Sequence, residues 1–166
     1  GTRSFGVGSK NLHARPVPHL EKYHGQNIFL TEALTLEAKA EIDKALNASK
    51  PFFLHMSHYA VHSPFQSDPR FAKNYQGKSP SLMAYATMIE GMDKSLGDLI
   101  DHIETKGVAE NTLIIFLGDN GGDAPDKDLD GISSCAPLRG RKGAKWEGGM
   151  RVPFIASWGN VNPENA

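Results

Sequence analysis

Three short stretches of this 166-residue chain hold side chains whose type and spacing could do chemistry. Asp119 and Asn120 follow the apolar run Thr112 to Leu117 and precede Gly121 and Gly122. A carboxylate beside an amide oxygen offers two hard ligands to Ca²⁺ or Mg²⁺, and glycines let the backbone turn sharply away. The same four residues would also serve as an Asx-type turn closing a strand. In HMSHYAVHSP, His55, His58 and His62 follow the apolar PFFL and precede Pro64. Imidazole exchanges protons near neutrality, so each is a candidate acid, base or anion contact, or else a packed or solvated side chain. Their spacing matches no common zinc pattern, and the one cysteine, Cys135, is distant in sequence. In PLRGRKGAKWEGGMRVPF, Arg139, Arg141, Lys142, Lys145 and Arg151 cluster among Gly140, Gly143, Gly148 and Gly149. Glycines admit a tetrahedral anion close to the backbone and a lysine holds its oxygens, although a solvated basic loop would read the same way. The order of glycines and lysine is not that of a Walker loop. Glu147 and Arg151, four residues apart, are placed to pair and brace the segment.

The elements that must position these residues follow from the hydropathy pattern. Phe52 to Met56, Thr112 to Leu117 and Val152 to Trp158 are apolar runs bounded by turn residues and are predicted as buried strands, with Asn27 to Leu30 a weaker one. Thr35 is predicted to cap a helix over Leu36 to Ala48, with Leu36, Ala40 and Ala45 on one stripe and Ile42 and Leu46 near it. Ser79 and Pro80 open a second helix, in which Leu82, Tyr85, Ile89, Met92, Leu96, Leu99 and Ile103 recur at helical spacing until Gly107 stops it. Strands alternating with helices predict an α/β sheet whose ligands gather at the carboxyl ends of its strands. Residues 1–26, rich in Gly, Pro, His and basic side chains, read as an irregular surface segment. Gly118 to Arg151 is a long Gly-rich connection of the kind that is usually functional or disordered.

Composition excludes several classes of partner. Eighteen basic residues face 19 acidic ones, so net charge points to neither nucleic acid nor an anionic membrane. No apolar run approaches the roughly 18 residues a membrane span needs. One cysteine forbids an internal disulfide. The chain begins without Met or a signal-peptide pattern, which suits either a mature protein or a piece of a longer one.

In this order and at these separations, the three segments resemble the sulfatase family of the alkaline-phosphatase superfamily. FFLHMSHYAVHSP looks like its strand and histidine loop, TLIIFLGDNGG its metal-binding strand end, and PLRGRKGAKWEGGMRVPFIASW its lysine loop. The resemblance implies an alkaline-phosphatase-like sandwich, with a mixed, mostly parallel sheet and helices on both faces, of which residues 27–166 form the central part. It implies that Asp119 and Asn120 bind a divalent cation, usually Ca²⁺ with Mg²⁺ the alternative, and that Lys142 holds a sulfate oxygen. His62 would contact the sulfate ester and protonate the leaving alcohol, while His55 and His58 have no matching role. Sulfated glycans and aryl sulfates are the implied substrates, and an exported or lysosomal enzyme the implied setting.

The family's nucleophile is a formylglycine made from Cys or Ser in a CxPxR or SxPxR motif near the start of the domain. Cys135, Ala136, Pro137, Leu138 and Arg139 spell that motif, but they run into the lysine loop and lack the Thr-Gly that follows the genuine one. The nucleophile segment, its accompanying aspartates and the C-terminal subdomain are therefore expected outside this sequence, leaving an inactive piece whose uncovered sheet would pair with another copy or a missing segment. A phosphodiesterase or phosphonate hydrolase of the same superfamily, or a non-catalytic binding module, are the alternative readings.

Overall fold

Helix α1 spans Leu30–Asn47. It starts where Leu30 and Ala33 find an apolar partner: both are buried with Leu20 and Tyr23 in one cluster flanked by Val17, Ile28 and Leu34. The computed structural model describes residues 17–122 and 133–159, in two units that divide between His102 and Ile103. The weaker predicted strand at Asn27 to Leu30 is instead the approach to this helix, and Phe29 occupies the cap position without a side-chain hydrogen bond. Thr35 is not a cap. It lies inside α1, where its hydroxyl donates to the Thr31 carbonyl at 2.7 Å, the back-bonding that lets threonine satisfy itself mid-helix. Within the segment read as surface, residues 1–26, Leu20 and Tyr23 are buried; the first sixteen residues lie outside the described residues.

Helix α2, Pro80–Thr105, follows the predicted signals closely at both ends. Ser79 Oγ accepts from the Leu82 amide at 3.3 Å, and Pro80 stands in the first turn, where its missing N–H costs nothing. At the far end Gly107 (φ +70°) takes the left-handed position, with its amide on Glu104 and that of Val108 on Ile103, which is a Schellman cap. The predicted stripe is buried at its C-terminal end, at Leu99 and Ile103, but not along its earlier turns. Ala84, Thr87, Met88, Gly91, Ser95 and Leu99 are buried, whereas Ile89 is exposed. The reason is polar: because the one proton of Thr35 goes to Thr31, Ser95 must donate to Thr35 Oγ1, at 2.6 Å, and this buried pair sets which faces of α1 and α2 meet. Leu36 is correspondingly exposed.

Farther along both helices, His102 Nε2 meets Asp43 at 2.9 Å. The two contacts advance together, so α1 and α2 run in the same direction, and the segment between them must travel back along their length. That is the path of the strand in an α/β crossover, and it contains Phe52 to Met56. These residues are nevertheless not a strand, since no partner strand lies beside them among the described residues, and Phe53 is 94% exposed. The return path is anchored at Asp68, which is 0% exposed. Its amide donates to Thr87 Oγ1 at 3.0 Å, and its carboxylate takes Arg70 Nε at 3.0 Å and Nη2 at 2.7 Å, while Arg70 also meets Glu32 of α1 at 3.2 Å. Gly91 leaves room for this carboxylate, which would lie 3.2 Å from a Cβ there.

In the second unit, strand β1 (Leu113–Leu117) pairs antiparallel with β2 (Phe154–Trp158), in the register Leu113↔Trp158 to Leu117↔Phe154. Both predicted strands form, within a residue or two of the expected bounds. Among the described residues this two-stranded antiparallel sheet is the only one, so the expected mostly parallel sheet with helices on both faces is not formed by them. Leu113, Ile115, Leu117, Phe154, Ile155 and Trp158 are exposed on it. No described helix is long and apolar enough to cross a membrane. Because Asp68→Ala removes charge-assisted hydrogen bonds while Arg70 keeps Glu32, it is expected to destabilise the full-length protein by about 1.5–3 kcal/mol. Denaturant unfolding measures it, and a loss under about 1 kcal/mol would show that Asp68 anchors nothing.

Candidate active site

The β1–β2 ladder brings the two ends of the long connection face to face. Its hydrogen bonding continues past the strands, with the Gly118 amide on the Pro153 carbonyl at 3.2 Å and the Gly121 amide on the Gly149 carbonyl at 3.0 Å. This approach is possible only without side chains. A Cβ on Gly121 would run into the Gly148 carbonyl, one on Gly149 into the Ala144 carbonyl, and one on Gly148 into the Gly140 carbonyl. Glycines that read in sequence as turn formers are therefore contact surfaces, backbone against backbone.

Lys142 is held by this interlock. Its amide donates to the Gly122 carbonyl at 3.1 Å, which ties it two residues beyond Asn120. It stands second in a turn closed by the Ala144 amide on the Arg141 carbonyl at 2.9 Å, with Gly143 third at φ +82°. A positive φ at that position is what a type II turn requires, so the Lys-Gly order is dictated by the turn as well as by charge. Glu147–Met150 forms a single helical turn, α3, braced as expected by Arg151 against Glu147 at 3.5 Å. Asp119 is exposed, with no hydrogen-bond or ion-pair partner among the described residues, and Asn120 is half-buried. Asn120 Nδ2 donates to the Gly121 carbonyl at 3.0 Å, which leaves its Oδ1 free as a ligand. A free carboxylate beside a free amide oxygen fits part of a Ca²⁺ or Mg²⁺ shell, which needs six or more oxygens in all for Ca²⁺. No group of three His, Cys, Asp or Glu side chains able to hold a metal occurs among the described residues.

Asp119, Asn120 and Lys142 are thus gathered within the second unit, whereas His62 belongs to the first. His62 is exposed, and its Nδ1 donates to the Ser63 carbonyl at 2.8 Å. The same carbonyl accepts the Tyr59 hydroxyl at 2.8 Å, and the Tyr59 ring meets the imidazole edge-on at 5.9 Å. With Nδ1 occupied, Nε2 is the atom that takes up or releases a proton. Tyr59 was missed in the sequence reading; an aromatic three residues before the histidine in one loop was its only signal. His55 is exposed, with Nε2 near Ser57 Oγ at 3.4 Å. His58 is more deeply placed: its Nδ1 is buried without a hydrogen-bond partner, and burial holds its pKa below the usual imidazole range. Cys135 is half-buried, its Sγ 3.9 Å from the Gly122 carbonyl.

With this geometry in view, the Sulfatase family model matches residues 11–166. A sulfatase of Formosa agariphila is 31% identical over 150 residues, or 82% of this chain and 26% of that protein. An N-acetylgalactosamine-6-O-sulfatase of Bacteroides thetaiotaomicron is 32% identical over 136 residues, or 78% of this chain and 25% of that protein. Among solved structures, Ps i-CgsB in complex with k-i-k-neocarrahexaose matches with a TM-score of 0.71 at 33% identity, covering 81% of this chain and 29% of that one. The chain spans about a quarter of the length of the curated relatives it matches.

The two kinds of glycine make separable predictions. Gly121→Ala, which forces backbone against backbone, should cost the full-length protein about 3 kcal/mol or more. Gly143→Ala has open space and only its positive φ to pay for, so about 1–2 kcal/mol is expected. Equal losses in denaturant midpoint would mean that the interlock is not the constraint. His58 yields a pH dependence. Its folded pKa is depressed, so as pH falls below the ordinary 6.5 the unfolded chain binds a proton that the fold resists, and stability declines. Thermal unfolding from about pH 8 to about pH 5 should show that decline, smaller in His58→Gln; an unchanged slope in the variant would remove His58 as its source.

Proposed function

The chain belongs to the sulfatase family, and on that premise we propose that it supplies the metal-ligating strand end, the sulfate-holding lysine and the leaving-group acid of a sulfate-ester hydrolase. The observation that carries this reading is the amide of Lys142 on the carbonyl of Gly122, which joins the cation to the carboxylate and amide of Asp119 and Asn120 in one backbone frame. A sulfate ester presents anionic oxygens and a poor leaving group. Lys142 offsets charge on a sulfate oxygen, an effect strongest when the donor is already in place before reaction. His62, with Nδ1 held by Ser63, delivers a proton from Nε2 to the departing alcohol oxygen. Asp119 and Asn120 Oδ1 would hold Ca²⁺ or Mg²⁺, which supplies further positive charge toward the sulfate. The nucleophile, a formylglycine, is assigned to another part of the full-length protein, together with the rest of a mixed, mostly parallel sheet and its covering helices.

Sulfated glycans are the proposed substrates, with aryl sulfates as simpler ones. The support is chemical kinship: the Bacteroides relative carries an N-acetylgalactosamine-6-O-sulfatase name, and Ps i-CgsB was solved with a neocarrahexaose. An exported or lysosomal setting is part of the same proposal.

The test is hydrolysis of a chromogenic aryl sulfate and of a sulfated oligosaccharide by the full-length protein, matured with its formylglycine and supplied with Ca²⁺. Lys142→Ala is expected to lower kcat by about 10²- to 10³-fold on both substrates. His62→Ala should lower it by about 10²- to 10⁴-fold on the oligosaccharide and less on the aryl ester, whose phenolate leaves without a proton. Faster turnover of phosphate diesters than of any sulfate ester, or full activity in both variants, would overturn the assignment.

A further inference from the structure

The Lys142 backbone is tied to Gly122, but its side chain projects from a loop whose arms need a restraint of their own. Its neighbours Gly140 (φ +88°) and Gly143 (φ +82°) give the loop its shape but no side chain to restrain it, and a glycine-rich loop is otherwise mobile. A second restraint lies at the neck. The Gly148 amide donates to the Arg139 carbonyl at 2.8 Å, and the Arg139 guanidinium lies over the Trp146 indole, 3.8 Å from the ring centroid. Lys145 Nζ is 5.4 Å from the same ring. A Cβ on Gly140 would come within 3.0 Å of Ala144 Cβ and 3.1 Å of Trp146 Cβ, so the two sides of the neck are already in contact at the root of the indole. Arg139 and Trp146 are exposed, and among the described residues the contact of the Arg139 guanidinium is the indole face.

Resting on the reading of Lys142 as the sulfate contact, we propose that the Arg139–Trp146 stack is a positioning device for Lys142: it clamps the loop neck so that the ammonium is presented ready-placed to a sulfate oxygen. A planar, weakly hydrated guanidinium can lie flat on an aromatic face, a closer contact than the Lys145 ammonium makes with the same ring. Preorganisation is the gain. A cation that must first be ordered stabilises the transferring group less than one held in place.

The experiment is a double-mutant cycle in the full-length enzyme, reading kcat, KM, the inhibition constant of inorganic sulfate and the thermal midpoint. Trp146→Ala and Arg139→Gln should each weaken sulfate inhibition and lower kcat/KM by about three- to tenfold, the loss of one cation–π contact. Trp146→Phe, which keeps an aromatic face, should retain most of both. In a Lys142→Ala background, Trp146→Ala should have no further effect, because the device has nothing left to position. If the losses multiply instead, Trp146 acts on something other than Lys142 and the proposal falls. It falls also if Trp146→Ala and Arg139→Gln leave sulfate inhibition unchanged while Lys142→Ala abolishes it. Unchanged sulfate inhibition and turnover in Lys142→Ala itself would instead refute the underlying assignment of Lys142. Should Trp146→Ala fail to fold, Arg139→Gln with and without Lys142→Ala completes the same cycle.

Discussion

The contact on which the second unit depends is between two pieces of bare backbone. Gly121, leaving β1, meets Gly148 and Gly149, approaching β2, so closely that a single methyl group at Gly121 would overlap the Gly148 carbonyl. Hydrogen bonds from Gly121 to Gly149 and from Lys142 to Gly122 follow from that closeness. A side-chain contact of equal strength would leave rotamers to be ordered at each use, whereas backbone amides carry no such freedom beyond φ and ψ. The backbones of Lys142, Asp119 and Asn120 are therefore placed by chain geometry, and only their own side chains remain to adapt.

The first unit uses polar contacts toward a related end. Its helices meet through the hydroxyls of Thr35 and Ser95, and the path between them is fixed by Asp68 and Arg70. Small residues at this face allow the loop carboxylate to lie against Gly91. His62 lies six residues before that anchor, and its imidazole is oriented by a carbonyl shared with Tyr59. The His62 imidazole is thus exposed while the groups that orient it are bound to one another, an arrangement suited to the acid role proposed for it.

Which parts of this were legible in the sequence follows from what a residue type can announce. Ser79, Pro80 and Gly107 have strong local preferences, and the ends of α2 lie where they put them. The apolar runs of β1 and β2 and the Glu147–Arg151 pair depend on near neighbours and were equally readable. The misreadings share another character. Thr35, the stripe of α2 and Phe52 to Met56 each depend on a partner distant in the chain, and periodicity states that a face is apolar without stating what will cover it. In the candidate site, Asp119 and Asn120 stood out as paired oxygen ligands at a strand end, while His62 and Lys142 were singled out from their His-rich and basic neighbours by the family resemblance. The carbonyls of Gly122 and Ser63 could not, because every residue carries one, and the Arg139–Trp146 stack was hidden in what looked like a charge cluster.

The exposed β1–β2 pair shows how far the site depends on elements that carry no chemistry. A two-stranded ribbon with apolar side chains uncovered on both faces is marginal in water by itself, so its register cannot be held by burial within this unit alone. A slip of one residue would turn every side chain to the opposite face and would also carry Gly121 away from Gly149, leaving Gly121, Gly148 and Gly149 opposite positions where closeness serves nothing. The interlock itself resists that slip, because only glycine can stand where Gly121 and Gly149 stand, and Val152, whose Cβ would lie 3.1 Å from a Cβ on Gly118, limits the approach from the strand side. Register and site are consequently one constraint: the glycines that bring Lys142 to the strand end are also those that tell the two strands where to stop.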